Sequence, residues 1–237
     1  MKDIVVSASM KMADIIMADQ RAMQLMPRFG IDLGFGDKTI KEICRERSID
    51  PDFFLLMVNI FLNPHYFPNK KLKSVDVELL LLYLANAHEY YIGEKIPRLC
   101  SLVEQFLKVL NHPAKIQLQT FFNEYIREVL EHIEYEEKVA FPYIKKLLLQ
   151  EENPESNFQE YTILEFDERH DNIEEKLSDL KNLLIKYFPP SNDRYLRIDI
   201  LNELFDLEQD LINHARLEDK VLIPIVQEIE KDILKKK

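Results

Sequence analysis

The chain has no tryptophan, only two cysteines and only four glycines in 237 residues. Cys44 and Cys100 form no CxxC pair, so neither a disulfide framework nor a thiolate metal site is indicated. No stretch approaches 18 consecutive apolar residues, so no membrane span is expected. The apolar run near the start, within MKDIVVSASMKMADIIMADQ, is too short and too interrupted for a signal peptide. An intracellular, cytoplasmic protein is the expectation. Positive charge is also scarce. Lys and Arg total 31 against 42 Asp and Glu, and the net charge of -11 argues against a nucleic-acid partner, whose backbone repels an acidic surface. Carboxylates are metal ligands as well as solvating groups, so the same charge is compatible with metal binding. What is present suffices for a core: 46% of residues are hydrophobic, and 14 Phe and 10 Tyr replace the missing tryptophan.

Helical spacing dominates. Within residues 8–26, apolar side chains recur at Ala8, Met12, Ile15 and Ile16, then Ala22, Met23 and Met26. Pro27 and the turn segment RFGIDLGFGDKTI follow, holding Gly30, Gly34 and Gly36. Asp37 is the expected cap of the next helix, KTIKEICRERS. Ser48 or Asp50, with Pro51 in the first turn, starts another. Residues 1–66 therefore read as a small helical domain. It carries 8 basic and 9 acidic side chains, leaving -10 to the rest of the chain. NPHYFPNKKLKS is the joint, with residues 67–74 as linker. From 75 to 237 four long helical segments follow, at about 75–110, 113–150, 158–187 and 192–235. Gly93 and Pro97 suggest a bend in the first, and Pro142 and Pro224 fall inside the second and fourth. Long helices joined by short breaks predict an all-α, up-down-up-down four-helix bundle preceded by the small domain. A single long coiled coil fits less well, because the heptads are irregular and the breaks regular.

The residues that carry chemistry repeat. EHIEYEEKVAF, then Pro142, has the layout of NHARLEDKVLI, then Pro224: histidine, glutamate four residues on, an acidic neighbour, Lys-Val, an apolar pair, proline. Four of the six histidines fall one per long helix: His88, His132, His170 and His214. His88 to His132 and His170 to His214 are both 44-residue intervals, as two matched hairpins would give. Residues i and i+4 share a helix face, so His132 with Glu136, and His214 with Glu218, can address one point. Tyr125, Val129, Ile133 and Val139 around His132, and Leu207, Leu211, Leu217 and Val221 around His214, place these ligands on the core-facing stripe. Four imidazoles and two carboxylates converging in a bundle suit a dinuclear site, with the carboxylates as bridges and iron, manganese or zinc as the metal. The competing reading is a duplicated bundle with six buried polar positions. It is costly unless every group is paired. Glu137, Asp219 and Asp171 adjoin the candidate ligands and read as solvated or outer partners. Tyr90, Tyr91 and Tyr135 lie within a turn of a ligand. His65 and His112 read as surface or loop residues, and Cys44 as buried in the apolar pattern of IKEICRE.

The phrases HEYYIGEKIPRL, HIEYEEKVAFPYI, FDERHDNIEEKLSDLKNLL and DLINHARLEDKVLIP resemble hemerythrin-like domains. The similarity is greatest to the RIC proteins (repair of iron centres), the YtfE/ScdA group, and it extends to the small domain at the amino end. The resemblance implies a non-haem di-iron centre, two irons held by His88, His132, Glu136, His170, His214 and Glu218, with Glu136 and Glu218 bridging. An oxygen-carrying hemerythrin has a fifth histidine, and no spare one is suitably placed here, which implies an open coordination position. In that branch the GID segment is followed by a cysteine pair. Here it reads Gly30-Ile31-Asp32-Leu33-Gly34-Phe35-Gly36, and the pair is missing.

The functional expectation is a di-iron protein of nitrosative or oxidative stress response that supports repair of iron-sulfur centres, with iron donation as the candidate mechanism. Nitric oxide, oxygen or peroxide, damaged iron-sulfur proteins and a second copy of the chain are the expected partners. No nucleophile–base set supports a turnover reaction. The alternative is an oxygen or nitric oxide sensor whose small domain relays the signal to a partner or to DNA. A third possibility is a helical bundle serving only protein contacts.

Overall fold

The computed structural model describes residues 5–63, 65–66, 74–152, 162–163, 166, 173–188 and 194–236. Among them the secondary structure is helical, with no strand beyond an isolated bridge between Lys11 and Thr39. The all-α expectation holds. No helix among the described residues is long and apolar enough to cross a membrane. Packing of the Cα trace separates Met1–Ala87 from His88–Lys237. Most of the linker expected at 67–74 lies outside the described residues.

The first unit holds α1 (Met12–Ala18), a 3₁₀ turn (Gln20–Gln24), α2 (Leu25–Arg28), α3 (Ile40–Glu46), α4 (Pro51–Leu62) and most of α5 (Ser74–Tyr90). The predicted helix over 8–26 is thus three short pieces. Asp50 caps α4 as expected, accepting from Phe53 N–H at 2.8 Å. The expected cap of α3 was Asp37, and the structure corrects this to Thr39. Its hydroxyl accepts from Glu42 N–H at 3.3 Å while the Glu42 carboxylate reaches back to Thr39 N–H at 2.8 Å, a reciprocal box. Asp37 instead pairs with Lys11. Gly30, Gly34 and Gly36 all have positive φ, which is why the segment between α2 and α3 holds no helix. The buried Asn59 closes the amino-terminal segment onto α4, accepting from Val6 N–H at 2.7 Å and donating to Val6 O at 3.0 Å.

Cys44 is fully buried, as its sequence context predicts. Burial, with a smaller push from the Asp50 charge, raises its thiol pKa to about 11. Cys100 is half-buried. Only the thiolate is nucleophilic. Burial and the Glu104 charge raise the Cys100 thiol as well, but Cys100 is accessible where Cys44 is not, so a disulfide-exchange reagent at neutral pH is expected to react slowly with Cys100 in the native chain, and with Cys44 only after unfolding. Equal rates for both would contradict this packing.

The second unit is the bundle. Its first helix continues from His88 through a π turn (Tyr91–Lys95) into α6 (Ile96–Val109). The second is α7 (Lys115–Tyr135), a π turn (Glu136–Ala140) and α8 (Phe141–Glu152). The described part of the third is α9 (Ile173–Asn182) and a π turn (Leu183–Tyr187). The fourth is α10 (Arg194–Leu217), a π turn (Glu218–Leu222) and α11 (Ile223–Lys236). α6 packs on α7 and α10, α9 on α7 and α10, and α8 on α11, closing the four-helix ring. Leu99, Phe106, Leu118, Leu180, Leu204 and Val226 are among the apolar side chains buried inside it.

The π turns account for the prolines. A proline within a helix has no N–H to donate, and its ring meets the carbonyl four residues back. Pro97, Pro142 and Pro224 each come second after a π turn. Just before each, the N–H of Ile96, Phe141 or Ile223 reaches back five residues, to Tyr91, Glu136 and Glu218. The wider turn accommodates the ring without ending the helix. It also inserts one residue and shifts the helical phase of the residues beyond it. Val139, expected on the core stripe, is 39% exposed, while Ala140 and Phe141 are buried.

Candidate metal centre

His88 comes from α5, His132 and Glu136 from the end of α7 and the first position of its π turn, and His214 and Glu218 from the corresponding places on α10. One donor atom from each of His88, Glu136, His214 and Glu218 lies within 4.8 Å of the other three. All four residues are buried, and both carboxylates have no exposure at all. Glu136 is the hub. Its Oε2 lies 2.8 Å from His88 Nε2 and 3.9 Å from His214 Nε2, and its Oε1 lies 2.8 Å from His132 Nε2. Glu218 Oε1 is 3.1 Å from His214 Nε2. The structure thus brings together five of the six residues the sequence singled out. His170 and its neighbour Asp171 lie outside the described residues.

The electrostatics reflect burial set against pairing. Burial disfavours the His214 imidazolium, but the Glu218 and Glu136 carboxylates overcome it and raise its pKa to about 10. Burial likewise works against a charged His88, and hydrogen bonds to Glu136 and Glu137 reverse it, so its pKa also rises. Burial would raise the Glu136 pKa, yet contacts with His132, His214 and His88 hold it well below the ordinary carboxylate value. The Nε2 atoms of His88 and His214 approach to 3.2 Å, with room for one proton between them. Imidazole nitrogens and carboxylate oxygens pointed at one another, with no thiolate among them, are a donor set that fits a borderline divalent cation.

Aromatic rings wall the cluster. Phe141 stacks on His88 at 5.5 Å and 7° between planes, and Tyr91 meets His214 edge-on at 5.8 Å. Tyr91, one of the three tyrosines near the ligands, thus has its ring against a candidate ligand. Glu137 is not merely a solvated neighbour, because its Oε1 lies 2.8 Å from His88 Nδ1. Sequence reading missed Asp210 and Asn213, 1% and 2% exposed beside His214 on α10. The signal was there, since Asp210 stands one turn before His214 within an apolar stripe. His112 accepts from Ala114 N–H at 3.2 Å, and His65 is exposed.

Histidines and glutamates from three helices, buried together at the heart of an antiparallel bundle, define a non-haem metal-binding bundle. The Hemerythrin HHE cation binding domain model matches residues 91–226, more than half of the chain, and the chain belongs to that family. The match begins three residues past His88, which the fold itself brings to the cluster. The chain is also similar over nearly its whole length to proteins named iron-sulfur cluster repair protein ScdA. The one from Staphylococcus haemolyticus is 27% identical over 213 residues, covering 89% of this chain and 94% of that protein. One from Staphylococcus epidermidis is 22% identical over 214 residues, with the same coverage. These matches bear out the resemblance to hemerythrin-like proteins of the repair branch.

Proposed function

We propose that this chain holds a non-haem di-iron centre and supports the repair of iron-sulfur centres by giving up iron under nitrosative or oxidative stress. The observation that carries the reading is the division of labour at Glu136. One carboxylate oxygen faces His88 and His214, and the other faces His132. A carboxylate serving two metals has its oxygens divided in this way. His88 and His214 would serve one iron, and His132, with His170 as the remaining candidate ligand, the second, with Glu136 and Glu218 as the expected shared carboxylates. The iron, when bound, supplies Lewis-acid and one-electron chemistry toward small ligands such as nitric oxide, oxygen or peroxide.

The residues differ in what they permit. The His88 and His214 side chains are 3% and 5% exposed, and His132 is 17% exposed. The His132 side is thus the more open, and it is the side from which iron is proposed to leave. The proposed recipient is the damaged iron-sulfur protein itself. Such a role places the chain in the cytoplasm with its clients. The repair function named for the ScdA proteins supports this assignment.

The test loads the chain with iron anaerobically and mixes it with an iron-sulfur enzyme inactivated by peroxide. Recovery of enzyme activity, matched by iron lost from the chain and absent with His132→Ala, is the expected result. No recovery, together with tight nitric oxide or oxygen binding, would replace this reading with the sensor.

A further inference from the structure

We propose that Glu137 is a positioning residue of the metal centre: its half-exposed carboxylate fixes His88 in one tautomer and strengthens it as a ligand. The inference rests on the metal-centre reading above and goes beyond it.

His88 is held on three sides by one short stretch of the neighbouring helix. Glu136 Oε2 lies 2.8 Å from Nε2, Glu137 Oε1 lies 2.8 Å from Nδ1, and the Phe141 ring stacks on the imidazole face at 5.5 Å. Nε2 points into the donor cluster and Nδ1 points away from it. When Nε2 is the ligand atom, the imidazole N–H must be on Nδ1, and Glu137 is the acceptor that keeps it there. The carboxylate also increases the donor strength of the ring. Adjacent residues on a regular helix point about 100° apart. Here both carboxylates reach the same imidazole from the first two positions of the π turn. The cation next in sequence does not compete, because Lys138 is paired with Glu134.

His214 is different. Its Nδ1 is buried and has no hydrogen-bond partner among the described residues. The two inner imidazoles are therefore unequal: one is backed by an anion that is 41% exposed, the other is not. The competing view makes Glu137 a surface ion pair of little consequence. The two views differ in the fate of the metal.

The experiment measures anaerobic Fe(II) affinity, the reduction potential of the loaded centre and the exchangeable Nδ1–H proton resonances of its ligand imidazoles. It compares wild type, Glu137→Gln, Glu137→Ala and the control Glu104→Gln, an exposed carboxylate paired with Lys108 away from the cluster. Melting of each metal-free chain checks the fold. Glu137→Gln is expected to lower Fe(II) affinity on the order of 10- to 100-fold, the usual effect of losing such an outer partner. It should also raise the reduction potential and shift one exchangeable ring proton. Glu137→Ala should lose that resonance to solvent exchange, and Glu104→Gln should match wild type. If both Glu137 variants match wild type in affinity, potential and resonance, the proposal is wrong and the metal centre stands. If wild type takes up no Fe(II), both readings fall together.

Discussion

A Glu136→Ala chain is expected to retain almost no iron after anaerobic loading and desalting, where wild type retains its full complement. Glu136 has no solvent exposure and stands between three imidazoles. Without it, His132 loses the carboxylate it faces, and Glu218 is the one carboxylate left among the described candidate ligands. Neutral imidazoles and a single carboxylate would have to offset the charge of the metals in a water-poor site, which is unfavourable. The metal-free chain should suffer as well. Removing one partner from a buried charged set costs about 3–5 kcal/mol, because the remaining charges are left without compensation. Elemental analysis reads the first effect and denaturant melts of the metal-free chain the second. Iron retained at the wild-type level would remove Glu136 from the centre.

Chelating the metal is expected to lower the melting temperature by roughly 8–16 °C. A ligand present at 1,000 times its dissociation constant stabilises the native state by about 4 kcal/mol. A unit of about 150 residues shifts by about 2–4 °C per kcal/mol. The effect should depend on pH, in a direction set by the shifted groups. In the metal-free chain the raised pKa of His214, about 10, is a source of stability that is full below the ordinary histidine value and fades as the pH rises toward 10. The depressed pKa of Glu136 contributes above the ordinary carboxylate value and is lost as the pH falls through that range. A metal ion must displace the imidazole protons to bind. Raising the pH from about 6 to about 9 therefore weakens the metal-free chain and favours the loaded one. The gap between their melting temperatures should widen across that range. A gap that narrows would mean that the buried imidazoles are not the ligands.

Much of the site was legible because helices impose a short-range geometry. A histidine and a glutamate four residues apart must share a face, and the sequence repeats that pair at His132 and His214. The matching 44-residue intervals then tie His88 to the same depth in the bundle. Three features were not legible, each for a physical reason. Hydrophobic periodicity assumes a constant turn, so it did not reveal the π turn at Glu136–Ala140, where Val139 is exposed and Ala140 is buried. Prolines read as bends because sequence alone does not reveal the wider turn that accommodates Pro97, Pro142 and Pro224. Glu137 read as solvated or an outer partner, but which imidazole it meets was not legible, because His88 lies 49 positions away in the chain and reaches it only across the bundle. At α3 both Asp37 and Thr39 were competent caps, and the capping box with Glu42 selects Thr39.

The π turns also make the chain sensitive to length. Glutamate and proline are six positions apart at Glu136 and Pro142, and again at Glu218 and Pro224. Losing one codon inside either interval would convert a π turn to an α turn and put the proline ring against a carbonyl. In this bundle, single-residue deletions within 137–140 and 219–222 should therefore be far less tolerated than substitutions at the same positions, even where the side chains face solvent.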